Sequence, residues 1–312
     1  MPADPTDFVL AIDFGGTKLD VATATLDGEI VLSQRLDTDA SAGAEQAVDR
    51  ALALARALVA TTASQLGGGA GTLRAAGATS PGIVLDDRIL LAPNVPGWED
   101  LALGARLTEG LNVDVVTETD VKAATRAEAT WGALVDADPG IFLNLGTGLA
   151  VGITIGGTVL RGANGAAGEI GYALRSPEDQ HGVNTGHAPL EEHVGGRAIG
   201  ERGGATAAEV FDRARRGDAH ATRLVTTALD ELAVHVANLA LAIDPARVAV
   251  GGGLMHHHDL VLPALTKRIE QAVPFPPPVV PARFVHDAAL RGAIALAIDH
   301  TNMIISRGGA AR

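Results

Sequence analysis

An apolar run from Phe8 to Ile12 is closed by Asp13, and a mostly apolar stretch resumes from Lys18 to Leu26. The pattern predicts a strand, a tight turn at Gly15-Gly16 and a second strand, with Asp27-Gly28 turning into a third over Ile30 to Arg35. Ala44, Ala47, Val48, Ala51, Leu52, Ala55, Leu58 and Val59 then recur at helical spacing, so Gly43 to about Ser64 is expected as an amphipathic helix ended by the Gly67–Gly71 loop. Strands are expected at Leu73–Thr79 and Arg88–Ala92, with a Ser80-Pro81-Gly82 turn between them. A helix is expected at about Glu99–Glu109, a strand at Val113–Thr117, and a helix from Val121 to about Trp131.

The pattern then starts again. Ile141–Leu145 is apolar, Gly146-Thr147-Gly148 is a turn, Leu149–Ile155 is apolar, and Gly156-Gly157 turns into Val159–Arg161. Two segments sharing the order strand, Gly/Thr turn, strand, turn, strand suggest two related α/β lobes. Farther on, Leu190-Glu191-Glu192 opens a helix, and Thr206 to Glu209 forms a capping box for a helix through Arg215. Leu229, Leu232, Val236, Leu239 and Ile243 share one face of a long helix that stops before Asp244-Pro245. A strand at Arg247–Val250 runs into Gly251-Gly252-Gly253 and a further helix. Arg213, Arg215 and Arg216 read as a solvated face, and His256-His257-His258 as a surface loop or cap. Leu290–Ile298 reads as a last helix, with Thr301–Arg312 as a frayed tail.

Composition narrows the function classes. The 312 residues are 47% hydrophobic, enough for one large domain or two smaller ones. Aromatics at 3% and a net charge of −13 argue against stacking on single strands and against a phosphate-backbone partner, so no nucleic acid is expected. With no cysteine there is no disulfide and no thiolate metal site. No uninterrupted apolar run has transmembrane length, and the first seven residues are too short and acidic for a signal peptide; the expectation is a cytoplasmic protein without a membrane partner.

The candidate chemistry sits at the turns. A carboxylate at Asp13 beside a glycine turn can face magnesium, while the amides of Gly16, Thr17 and Lys18 can face phosphate oxygens. An ordinary hairpin with an exposed Asp fits the same residues. The spacing is not a Walker A loop, and no helix follows as a dinucleotide fingerprint requires. Strand, triple glycine and helix at Gly251–Gly253 is a second place where a nucleotide can approach backbone closely. Asp120 fits a helix N-cap, Glu191 a helix-dipole charge and Glu169 a solvated loop acid, each compatible with its position alone.

Six stretches carry a resemblance: Asp13-Phe-Gly-Gly-Thr-Lys18, Ala92-Pro-Asn-Val-Pro-Gly-Trp98, Glu118-Thr-Asp120, Leu145-Gly-Thr-Gly148, Gly165-Ala-Ala-Gly-Glu-Ile-Gly171 and Val250-Gly-Gly-Gly-Leu254. In this order, and across about Phe8 to Ala297, the chain resembles the ROK (repressor, open reading frame, kinase) family of sugar kinases and sugar-responsive repressors. The resemblance implies an α/β, two-lobed, actin-like (ribonuclease H-like) ATPase fold with a ligand cleft between lobes. The expected division is 1–118 and 119–312, with the last helix packing back on the first lobe. It implies ATP-dependent phosphorylation of a hexose or aminohexose at the 6-hydroxyl, glucose or 3-amino-3-deoxyglucose (kanosamine) foremost, or else a non-catalytic sugar sensor.

Residue by residue, the resemblance makes Asp120 the catalytic base and Asp13 the acid that holds Mg²⁺, directly or through water. Gly15, Gly16, Thr17 and Lys18 match the first phosphate loop, Gly146, Thr147 and Gly148 the second, and Gly252 and Gly253 the adenosine region. Asn94, Glu169 and Glu191 match hydroxyl-binding positions, and Gly82 lies against the sugar. Family members are commonly dimers or tetramers, so a homo-oligomer is implied. Three departures stand out. The family's Cys-x-Cys-Gly-x-x-Gly-Cys zinc motif has no counterpart in Gly182–Pro189, so no structural zinc is expected. Tyr172 replaces a common His, and Thr119 a common Asn, both in the expected sugar pocket.

Overall fold

The computed structural model describes residues 4–66, 71–92 and 96–310. Most of the expected Gly67–Gly71 loop, and Asn94, lie outside the described residues. The chain divides into two compact units: Met1–Ala127 with Gly162–Gly165 and Asp287–Arg312, and Glu128–Arg161 with Ala166–His286.

In the first unit, β1 (Asp7–Phe14), β2 (Lys18–Thr25) and β3 (Ile30–Asp37) form an antiparallel meander. Helix α1 (Ala44–Gln65) leads to β4 (Thr72–Ser80), which pairs parallel to β1. A small hairpin of β5 (Ile83–Val84) and β6 (Ile89–Leu90) follows, then α2 (Leu103–Leu111) and β7 (Val115–Thr119), parallel to β4. The five-stranded sheet runs β3-β2-β1-β4-β7. Helix α1 buries Ala47, Val48, Ala51, Leu52 and Ala55, the spacing read from the sequence. A buried hydrogen bond of 2.6 Å between Thr23 and Thr62 joins β2 to α1. Helix α3 (Asp120–Trp131) begins in this unit and passes into the second at Glu128.

The second unit repeats the plan. Strands β8 (Gly140–Leu145), β9 (Leu149–Ile155) and β10 (Thr158–Val159) are antiparallel. After α4 (Glu191–Val194), α5 (Gly196–Gly203), α6 (Ala207–Arg215) and α7 (Ala219–Ile243) come β11 (Arg247–Gly251), α8 (His258–Ala272) and β12 (Val279–Pro281). The sheet order β10-β9-β8-β11-β12 matches that of the first unit position by position, with β11 parallel to β8 and to β12. Helix α7 is the one described helix long and apolar enough to cross a membrane, and its Val225, Leu229, Leu232 and Val236 pack into this unit's core. The chain then returns to the first unit through α9 (Ala288–Ala310). Gly77 of β4 and Gly292 of α9 permit that return: a Cβ at either would collide with backbone, of Ala293 and Ala123 respectively.

Some boundaries differ from expectation, for reasons of tertiary structure. Helix α2 starts at Leu103 instead of Glu99, because the Glu99 carboxylate accepts the Ala92 amide and holds a turn. Residues Thr301 onward continue α9, where Thr301 is buried and its hydroxyl bonds the Ala297 carbonyl. The His triplet is helical, with Gly253–His257 forming a 3-10 turn; His257 is buried and stacked on Phe211 at 4.5 Å between centroids. Arg215 is an ion-pair partner of Asp212 and Asp259 in place of a solvated cation.

Candidate functional site

The first unit places two carboxyl groups at the ends of β1 and β7, the strands on either side of β4. Asp13 closes β1 and pairs in register with Thr79 of β4, whose hydroxyl donates to Asp13 Oδ1 at 2.6 Å. Burial pushes the Asp13 carboxyl up to about 7; the Thr79 hydrogen bond opposes the shift and the charges of Asp120 and Asp20 add to it. The turn beside it is braced from inside. Gly15 N–H donates to Lys18 O at 2.8 Å, Thr38 Oγ1 donates to Gly15 O at 2.7 Å, and Thr38 N–H donates to Thr17 O at 2.9 Å. Thr17 and Lys18 are exposed, and nothing lies within 4 Å of where a Cβ on Gly16 would stand. The loop therefore turns its carbonyls to the protein and leaves an open edge at Gly16, a suitable cradle for an anion.

Asp120 is the first residue of α3, directly after β7. Its Oδ1 accepts the Val121 amide at 2.8 Å. Burial pushes its carboxyl up, while the Val121 amide and the Lys122 charge pull it back. The cap is Thr119 instead of Asp120: Thr119 Oγ1 accepts the Lys122 amide at 3.2 Å, because the Asp120 side chain bonds its immediate neighbour. Glu118 Oε1 accepts the Thr119 amide at 2.9 Å, and Glu118, Thr119 and Lys122 are all buried. Gly82, with φ at +84°, packs under the β5–β6 hairpin, where a Cβ would meet the Leu90 carbonyl.

The second unit assembles the other expected groups. The Gly146–Gly148 turn is closed by Gly146 N–H donating to Gly148 O at 3.1 Å, and α5 reaches it through Gly196 N–H to Gly146 O at 2.9 Å. Glu191 opens α4 and its Oε2 accepts the Leu149 amide at 2.8 Å. A Cβ on Gly148 would sit 2.6 Å from that same oxygen, so only glycine admits the carboxylate there. Glu169 precedes and Tyr172 ends a short 3-10 turn, Ile170–Tyr172, whose Gly171 carbonyl accepts the Leu190 amide at 3.1 Å. Glu169, Tyr172 and Glu191 thus belong to one corner of this unit. Gly252, at φ +91°, lies against the end of β8, where a Cβ would be 2.5 Å from Leu145 O. Between Thr147, Arg197, Ala207, Gly253 and His256 opens a cavity of about 470 Å³.

Sequence reasoning missed Thr79, Arg197 and Ala207. Thr79 is 66 residues from Asp13, and only strand pairing brings them together. Among the described residues, no three ligating side chains converge on a point. The donor set suits magnesium, which takes one or two carboxylates and fills its shell with phosphate and water oxygens. Asp13 fits that requirement: its raised pKa marks a buried negative charge that a cation would relieve.

The duplicated five-stranded plan is that of the actin-like, two-lobed ATPase fold, which solved structures similar to this chain share. A ROK hexokinase from Thermus thermophilus superposes with a TM-score of 0.80 at 27% identity, covering 95% of this chain and 99% of the other. A ROK glucokinase from Streptomyces griseus, solved with glucose and AMPPNP, gives a TM-score of 0.74 at 27% identity, covering 94% of this chain and 99% of the other. An N-acetylmannosamine kinase from Shigella boydii is 33% identical over 300 residues, 92% of this chain and 97% of that enzyme. Residues 9–300 match the ROK family, and the chain belongs to it.

Proposed function

We propose that this chain transfers the γ-phosphoryl group of ATP to the 6-hydroxyl of a hexose or aminohexose, with Asp120 as general base. It is an ATP-dependent sugar kinase; the ROK match and the hexokinase, glucokinase and N-acetylmannosamine kinase relatives support that class. Within it, glucose, kanosamine and N-acetylmannosamine are the acceptors to test first. We place the chain in the cytoplasm, where its ATP is supplied.

The observation that carries the reading is the Asp13–Asp120 pair, two acids in one unit close enough for one charge to raise the other's pKa. A sugar hydroxyl is a poor nucleophile. A carboxylate in hydrogen-bond reach aligns it and accepts its proton late in transfer, worth typically ~10²–10⁴-fold. Burial makes Asp120 a stronger proton acceptor, and the Val121 amide and the Lys122 charge offset part of that rise. Asp13 would hold magnesium, which when bound neutralises charge on the phosphate oxygens. The open turn at Gly16 and the Gly146–Gly148 turn would donate backbone amides to those oxygens, and the cavity beside Gly253 would take the nucleoside. Asn94, Thr119, Glu169, Tyr172 and Glu191 would bind sugar hydroxyls or an amino substituent, with Gly82 against the ring. An unmatched buried polar group costs roughly 1–3 kcal/mol, which is how such a set discriminates between sugars.

A coupled ADP-release screen over glucose, mannose, fructose, N-acetylmannosamine, N-acetylglucosamine and kanosamine tests this. Turnover on at least one is expected. Sugar binding with no turnover on any would assign the chain to the sensor class instead.

A further inference from the structure

Helix α4 is only four residues long and carries Glu191, yet a helix of one turn has no stability of its own. Its position is set from outside. Glu231, on α7, receives Arg175 through both Nε and Nη2, the latter at 3.3 Å, and its Oε2 lies 3.1 Å from His193 Nε2. His193 is two residues past Glu191 on α4. From the other side, Arg202 of α5 donates to the His193 carbonyl, and its Nη1 stands 3.1 Å from His193 Nδ1. The Arg175 amide donates to Asp179 Oδ2 at 2.6 Å, closing the turn that starts the 173–190 segment. One carboxylate therefore ties that segment and α4 to the longest helix of the second unit.

The protonation states agree with this wiring. Burial and Arg202 hold the His193 imidazole below its ordinary pKa, against the pull of Glu231; Arg175 and Asp179 act more weakly and in opposite directions. A neutral ring assigned a proton on Nε2 donates to Glu231 and accepts from Arg202 at Nδ1. An isolated exposed ion pair contributes little. This one is different in kind: Arg175 is two-pronged, the Glu231 side chain is 18% exposed, and Arg175 and His193 share the carboxylate.

We propose that Glu231 is a positioning residue for the sugar-binding carboxylate Glu191, acting through this clasp on α4. The role rests on the kinase reading above, in which Glu191 binds a sugar hydroxyl. It gives the cysteine-free segment before α4 a polar anchor. Because Gly195 N–H bonds the Glu191 carbonyl and Gly196 N–H the Gly146 carbonyl, a shift of α4 is felt at the neighbouring glycine turn as well, though less directly than at Glu191.

The test uses the full chain with Glu231→Ala and Glu231→Gln. Small displacements of a binding group cost on the order of 10- to 100-fold. Glu231→Ala is expected to raise KM for the sugar by that range, with a much smaller change in KM for ATP. Glu231→Gln, which keeps one acceptor, should recover part of the loss. In hydrogen exchange, amides across 173–194 should exchange faster in Glu231→Ala while those of α6 stay unchanged. Unchanged exchange overturns the clasp; faster exchange with an unchanged sugar KM overturns the positioning role. If the wild-type protein phosphorylates no sugar, the kinase reading fails, and the positioning role with it, while the exchange difference still decides the clasp.

Discussion

At the scale of residues, Asp13 gives the clearest signature. Its carboxyl titrates near 7 in the folded chain against an ordinary 3.8. Folding therefore raises its proton affinity, and the folded state holds the proton over a window where the unfolded state has lost it. Stability from this group is greatest below about pH 4 and declines as pH rises to about 7, then levels. In magnesium-free buffer, Asp13→Asn should remove that decline: the unfolding free energy of the variant minus that of the wild type should rise from pH 4 to 7. A constant gap across the window would contradict the burial argument. Asp13 stood out because it closes an apolar run before a glycine turn, whereas Asp120 was marked only by the resemblance at Glu118-Thr-Asp120. Thr79 and the buried His257 were not legible, since strand pairing and a Phe211 stack 46 residues earlier create their roles.

At the scale of elements, local chemistry wrote some boundaries plainly. Thr206 Oγ1 accepts the Glu209 amide at 3.3 Å and Glu209 Oε2 accepts the Thr206 amide at 2.9 Å, the reciprocal pair read from the sequence. Thr206→Ala should cost about 0.5–2 kcal/mol, seen as a lower denaturant midpoint with an unchanged slope. A changed slope would mean that more than the cap was lost. Helix α9 was less legible. Ser306, Arg307 and two glycines resemble a tail, but Ala293, Ile294 and Ala297 pack on β1 and β4 and carry the helix onward. The Glu231 clasp was hidden for a similar reason: Arg175, His193 and Glu231 are dispersed over 56 residues with no periodicity to link them.

At the scale of the molecule, the repeat seen in the hydrophobic pattern is the architecture itself, since both sheets share one strand order. Sequence showed the strands of each repeat, and the resemblance implied a last helix packing back on the first lobe; the point of return, Asp287, comes from the contacts of the folded chain. That return fixes a consequence. A chain ending at His286 lacks the helix that covers β1 and β4, so it should lose the cooperative unfolding of the first unit while Glu128–His286 keeps its own core. Calorimetry of the truncated chain showing both transitions intact would contradict this packing.

The central claim is that Asp120 accepts the proton of the sugar's 6-hydroxyl as phosphoryl transfer proceeds. Single-turnover transfer from ATP to the best sugar of the screen, comparing wild type with Asp120→Asn, addresses it most directly. The expected result is a sugar 6-phosphate from the wild type and a transfer step slowed by ~10²–10⁴-fold in the variant, with thermal unfolding nearly unchanged. An Asp120→Asn protein that transfers phosphate at close to the wild-type rate would contradict it.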